Sequence, residues 1–179
     1  TFKDTGLPRP SYDLWEEKFG ISTFTCSAKY DALTKAAQFS KLLGKTDAEA
    51  QYLEAADKIK QVILTHLHNE KENMFYKLIN VKDNGDFEHD ATIDMSSLFG
   101  VINFNVLPPD DNRIKLSLET VKNRLSVPTD VGGIMRYEDD RYYRVDRDAP
   151  PNPWFVTTLW LAQCYVQVAQ NEKDLDKVK

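Results

Sequence analysis

The stretch "TDAEAQYLEAADKIKQVILTHL" (residues 46–67) has the period of a helix with one buried side. Leu53, Ala56, Ile63 and Leu67 fall on a single stripe at 3.6 residues per turn, and charged residues occupy the remaining faces. Thr46 stands three residues before Glu49, the spacing of a capping box, so the helix is expected to open there. Upstream, "ISTFTCSAKYDALTKAAQFSKLL" (residues 21–43) places Phe24, Ala28, Ala32 and Phe39 near one face, and Gly44 follows as a stop. Two helices in direct succession set the theme for the chain.

Downstream, "NMFYKLINVKDNGDFE" (residues 73–88) changes character, with aromatic and branched residues before the turn Asp83-Asn84-Gly85-Asp86. That predicts a short β-hairpin between helical regions. "TIDMSSLFGVINFNVL" (residues 92–107) is apolar on most sides and reads as a buried helix, stopped by Pro108 and Pro109. Asp110, Asp111 and Asn112 are N-cap candidates for a further amphipathic helix carrying Ile114, Leu118, Val121 and Leu125. A polar segment rich in Gly and Pro follows at residues 126–151, and loops of that length in a compact domain usually carry function. In "NPWFVTTLWLAQCYVQVAQ" (residues 152–170), Asn152 is expected to cap and Pro153 to open an apolar helix buried between neighbours. The fold class is therefore all-α: about five helices in series, with no strand alternation of the kind that builds a parallel sheet. No sequence repeat is visible, although serial helix-loop-helix units fit an α/α toroid.

At 179 residues the chain has the size of one domain, and 41% apolar with 28% charged residues is an ordinary globular composition. The net charge of −5, with no basic stripe, argues against a nucleic-acid partner, and no apolar run approaches a membrane span. Cys26 and Cys164 sit in apolar helical patterns and read as reduced core residues. His66 and His68, one residue apart, do not share a helix face and are not a helical zinc pair; no metal site is expected. The opening "TFKDTGLPRP" looks like a cut inside a longer protein.

Unusual chemistry collects in two loops. "SYDLWEEKFG" (residues 11–20) sets Asp13, Glu16 and Glu17 among Tyr12 and Trp15. The long loop offers Arg136, Glu138, Asp139, Asp140, Arg141, Arg144, Asp146, Arg147 and Asp148, interleaved with Tyr137, Tyr142 and Tyr143 and followed by Trp154. Carboxylates accept from hydroxyls, arginines donate forked hydrogen bonds, and aromatic faces stack on sugar rings, so together these suit a carbohydrate site. Glycoside hydrolysis needs a carboxylic acid that stays protonated near neutral pH. Glu16, between a water-excluding Trp15 and a like-charged Glu17, has an environment of that kind, though spacing alone leaves both glutamates eligible. The same letters also suit a helix start, with acids favoured by the dipole, and "RYEDDRYYRVDRD" also suits a solvated, salt-bridged loop.

"YDLWEEKFGISTFT" resembles the catalytic-acid segment of glycoside hydrolase family 15, the glucoamylases and their prokaryotic relatives. "GGIMRYEDDRYY", followed by "NPWFVTTLWLAQCY", resembles a second signature of that family, in the family's order. The resemblance implies Glu16 as general acid and Glu17 as a neighbour that hydrogen-bonds substrate hydroxyls. It implies Leu14 and Trp15, with Tyr12 beside them, as contacts to the sugar at the cleaved bond, Arg136 gripping hydroxyls, Asp140 supporting that arginine or the acid loop, and Trp154 lining the pocket. It further implies part of an (α/α)6 barrel, with the chain (residues 1–179) as a central portion of about five of twelve helices. The expected activity is inverting hydrolysis of α-glucosides without a cofactor, because carboxylates and dipoles suffice for proton transfer and charge stabilisation. Inversion requires a second carboxylate roughly 6.5 to 9.5 Å from the acid, and the Glu-Gln motif that carries it in the family has no counterpart here, so the chain alone is expected to be inactive. An α,α-trehalase, an α-1,6-glucan hydrolase and a non-catalytic sugar-binding module are the alternatives on the same scaffold. Apolar helix faces left open by such a portion are expected to meet the rest of the barrel or a second copy.

Overall fold

A computed structural model describes residues 6–146 and 148–178; Arg147, among the arginines of the long loop, lies outside them. The helices are α1 Thr23–Leu42, α2 Thr46–His66, α3 Met95–Asn103, α4 Asn112–Leu125 and α5 Phe155–Val168, followed by a short 3-10 segment, Glu172–Val178. All five expected helical regions are present, but the chain is helix-rich with a small sheet rather than all-α. Strands β1 Ser11–Tyr12, β2 Phe19–Ser22, β5 Leu78–Val81 and β6 Phe87–Asp90 form an antiparallel sheet in the order β1-β2-β5-β6, and β3 His68–Asn69 pairs with β4 Met74–Phe75. None exceeds four residues, too short for period-two alternation to show in sequence. The β5–β6 hairpin is the one the turn announced: Gly85 N–H donates to the Lys82 carbonyl at 2.9 Å, and Lys82 N–H donates to Asp86 at 2.8 Å.

The helices differ from expectation in rotation and at their starts. On α1 the buried residues are Thr23, Cys26, Ser27, Ala37 and Ser40, whereas Ala32 and Phe39 face outward. Close packing is the reason: α1 lies against both α2 and α3, and a Cβ placed on Gly100 of α3 would come within 3.1 Å of the Phe24 Cα. Small residues permit that approach, so they take the inner face. On α2, Ala56, Ile59, Val62 and Ile63 are buried while Leu53 is exposed. Its capping box does not form: Thr46 is already helical, and Lys45 holds the N-cap position without a side-chain bond. α4 follows its sequence closely, with Ile114, Leu118, Val121 and Leu125 buried and Asp111 accepting from Arg113 N–H at 2.9 Å as the cap.

α5 begins at Phe155, with Trp154 at the N-cap position, so Pro153 precedes the helix. Asn152 instead donates its side-chain amide to the carbonyls of Tyr142 (3.2 Å) and Tyr143 (3.1 Å), tying the long loop to the start of α5. The helix buries Thr157, Leu161, Cys164 and Tyr165 but turns Phe155, Leu159 and Val166 outward, so it is not enclosed on all sides. α3 is the central helix, buried from Met95 to Ile102. Around it a single core runs through Met74, Phe75, Ile79, Ile93, Leu98, Ile114 and Leu125. Cys26 and Cys164 are buried free thiols, and burial pushes each up to about 12. His66 and His68 pack against the rings of Phe87 and Phe75. Among the described residues no helix is long and apolar enough to cross a membrane.

Candidate active site

The "DLWEEK" segment is neither a helix start nor an open loop: it is the tip joining β1 to β2. Asp13, buried at 6% exposure, organises it. Its Oδ1 accepts from the backbone N–H of Glu17 (2.9 Å) and Lys18 (3.2 Å), while its own N–H donates to the Lys18 carbonyl at 2.8 Å. This is an aspartate standing in for backbone in a tight turn. The turn forces Glu16 to φ +57°, a left-handed conformation that costs a non-glycine residue about 1–2 kcal/mol and persists only when surrounding contacts over-determine it. The Glu16 side chain is exposed and, among the described residues, makes no hydrogen bond or ion pair.

Glu17 is held instead. Its Oε1 accepts from Arg136 Nη2 at 2.9 Å, and its Oε2 accepts a short hydrogen bond from the Tyr137 hydroxyl. Arg136 in turn forks onto Asp140, Nε to Oδ2 at 2.7 Å and Nη2 to Oδ1 at 2.8 Å. The rings of Trp15, Tyr137, Tyr142 and Trp154 surround the guanidinium, their centroids 5.1, 5.2, 4.8 and 4.9 Å from it. Burial works against the ionised Asp140, but the hydrogen bonds and charge of Arg136, with the Tyr142 N–H, hold its pKa below the usual aspartate range. The buried indole N–H of Trp154 misses hydrogen-bond alignment yet lies close enough to add to that effect. Burial and the Glu17 carboxylate push the Tyr137 phenol up, and Arg136 is raised in spite of its burial by Asp140 and Glu17.

Five of the sequence-derived site residues therefore converge: Trp15, Glu17, Arg136, Asp140 and Trp154. Glu16 stands at the same hairpin tip, and Leu14 is half-buried beside it. Tyr12 is exposed on β1 and packs edge-on against Phe19, ring centroids 5.4 Å apart, outside the set of rings around Arg136. Trp15 does not enclose Glu16 as expected from sequence. Its N–H donates to both Asp94 oxygens, at 3.2 and 2.9 Å, and its ring meets Trp160, which stacks on Phe99.

Four further residues belong to this site. Lys77, at 2% exposure, places Nζ 3.1 Å from Asp94 Oδ2, 3.3 Å from Asp13 Oδ2 and 3.8 Å above the Tyr137 ring centroid. Both carboxylate approaches are ion pairs without hydrogen-bond alignment. Asp94 also caps α3 by accepting from Ser96 N–H at 2.8 Å, and burial raises its pKa against the pull of Lys77. Backbone bonds from Met95 N–H to the Arg136 carbonyl and from Glu138 N–H to the Ile93 carbonyl, both 3.0 Å, fasten the long loop alongside Asp94. The only sequence trace of Lys77 and Asp94 was a lone charge inside each apolar run, "NMFYKLINV" and "TIDMSSLF". Asp13 and Tyr137 were visible as loop residues but not as supports.

The family model described as glycosyl hydrolases family 15 matches residues 6–178. The chain belongs to this family. It is 33% identical over 167 residues to an uncharacterized glycosyl hydrolase of Methanocaldococcus jannaschii, covering 93% of this chain and 25% of that protein. A glucoamylase of Blastobotrys adeninivorans is 21% identical over 182 residues, covering 94% of this chain and 29% of its own length. Among solved structures, a bacterial glucoamylase complexed with acarbose superposes with a TM-score of 0.71 at 20% identity, over 92% of this chain and 28% of that one. The glucoamylase of Hypocrea jecorina superposes with a TM-score of 0.66 at 21% identity, over 89% and 27%. At such identities these superpositions carry the fold, and the chain spans between a quarter and a third of each relative.

Proposed function

We propose that these residues form the acid-bearing part of the active site of an α-glucoside hydrolase of the glucoamylase type, acting with inversion, within a larger (α/α)6 barrel. The observation that carries the reading is the unequal treatment of two adjacent glutamates. Glu17 is held on both oxygens by Arg136 and Tyr137, whereas Glu16 is presented at a hairpin tip in a strained backbone with its side chain unengaged. A free carboxyl group beside a fixed carboxylate matches the division of labour between a general acid and a substrate-gripping neighbour.

In this reading Glu16 donates its proton to the glycosidic oxygen as the bond to the anomeric carbon breaks, and Glu17 and Arg136 receive the hydroxyls of the sugar beside it. Trp154, Trp15 and Leu14 shape the wall, Tyr12 extends it, and Asp140 fixes the Arg136 fork. Water would attack from the opposite face, activated by a second carboxylate. The Glu-Gln motif that carries this base in the family has no counterpart in the sequence, so we place the base on residues outside these 179. Maltose, isomaltose and trehalose offered to the full-length protein, with NMR of the first anomer released, test the reading. Prompt β-glucose that disappears in Glu16→Gln supports it and ranks the three linkages; binding without hydrolysis would move the assignment to a non-catalytic sugar-binding module.

A further inference from the structure

Lys77 has no role in that chemistry, yet it is among the most buried charges of the molecule. Its backbone is pinned on both sides, Lys77 N–H donating to the Asp90 carbonyl at 2.9 Å and its carbonyl accepting from Thr23 N–H at 3.2 Å, so its side chain starts from a fixed point just before β5. We propose that Lys77 is a positioning residue whose ammonium, through Asp13, Asp94 and Tyr137, sets the hairpin tip that carries Glu16 and Glu17. The inference rests on the glycosidase reading above and extends it.

Each of the three groups around Nζ controls a different part of the tip. Asp13 turns one oxygen to Lys77 and gives the other to the N–H groups of Glu17 and Lys18, the bonds that close the turn around Glu16. Asp94 gives one oxygen to Lys77 while receiving the Trp15 indole N–H, which fixes the residue before Glu16. Tyr137 lies face-on under the ammonium and spends its hydroxyl on Glu17. Two cations, Lys77 and Arg136, face the carboxylates of Asp13, Asp94, Glu17 and Asp140, and Lys77 neutralises the pair that Arg136 does not touch. An apolar side chain of the same length would fill the space but leave two buried carboxylates facing each other, so the turn would have to open or take up a proton.

The test compares Lys77→Met and Lys77→Met/Asp94→Asn with wild type in the full-length protein, by kcat and KM on maltose, melting temperature, and deuterium exchange of the peptide spanning residues 11–20. Displacing an acid by about 1 Å costs roughly 100-fold, so kcat of Lys77→Met is expected to fall on that order with KM within about threefold, and the peptide to exchange faster. The double variant removes one charge of each sign; it should regain melting temperature but not kcat, because Asp13 and Tyr137 still lack their anchor. Recovery of kcat together with melting temperature would overturn the proposal and leave Lys77 as charge balance alone, as would wild-type kcat and exchange in Lys77→Met. If the single variant does not fold, the double variant supplies both readings. If wild type cleaves no α-glucoside, the glycosidase reading fails, and exchange of residues 11–20 alone decides: faster supports positioning, unchanged rejects it.

Discussion

Glu16 and Glu17 differ less in identity than in what their neighbours ask of them. Because the Glu16 side chain is exposed and makes no hydrogen bond or ion pair among the described residues, Glu16→Gln should leave the melting temperature within about 1 °C of wild type, the behaviour of a surface change, while lowering kcat by at least roughly 100-fold. Steady-state kinetics beside a thermal melt separates these, and loss of both together would assign Glu16 a structural role. Asp140 is the converse case, its side chain 1% exposed and forked onto Arg136. Asp140→Asn removes the charge that compensates a buried guanidinium, so unfolding stability should drop by about 3 kcal/mol or more, as urea titration would show.

At the scale of elements, the site depends on how the segment before Arg136 docks on α5. Ile134 N–H donates to the Thr158 hydroxyl at 2.9 Å, the Thr157 hydroxyl donates to the Ile134 carbonyl at 2.6 Å, and Trp154 N–H donates to the same carbonyl at 3.0 Å. Gly133 makes this possible: it sits at φ +97°, and a Cβ there would come within 2.8 Å of the Pro153 Cβ. Gly133→Ala should therefore cost more than about 1 kcal/mol and shift the Arg136 end of the site, raising KM before the fold is lost. Denaturant melts and KM measured on one preparation check both parts.

For the whole molecule, three aspartates with lowered pKa values make stability fall with acid, and Asp94, raised by burial, opposes them. Asp111 is held low by the hydrogen bond from Arg113; Asp90 and Asp140 are lowered by Lys18 and Arg136 in spite of burial. A folded pKa below the unfolded one stabilises the protein above the ordinary aspartate pKa of about 3.9, and that stabilisation is lost as pH falls through the lowered folded values. Melting temperature should thus decline on acidification below about pH 4, and less steeply in Asp140→Asn, which has already lost its share. On the outside, Leu42, Leu159 and Phe155 are 82%, 61% and 91% exposed. Apolar surface of this kind seeks a partner, so the 179 residues by themselves are expected to self-associate with concentration in light scattering; a monomer throughout would show that these faces are tolerated in water.

Helix positions were legible in the sequence because a 3.6-residue period, a cap such as Asp111 and a stop such as Gly44 are local properties of neighbouring residues. So were the two loops that bear the site and, through their likeness to a family, residues of both that the structure brings together: Trp15, Glu17, Arg136, Asp140 and Trp154. Tertiary structure alone decided which side of α1 faces inward, since that depends on how closely Gly100 lets α3 approach. It also turned "DLWEEK" into a hairpin tip and brought Lys77 and Asp94 beneath it, because strands of two to four residues and a buried ion pair 17 positions apart in sequence derive their stability from partners distant along the chain, which no local pattern encodes.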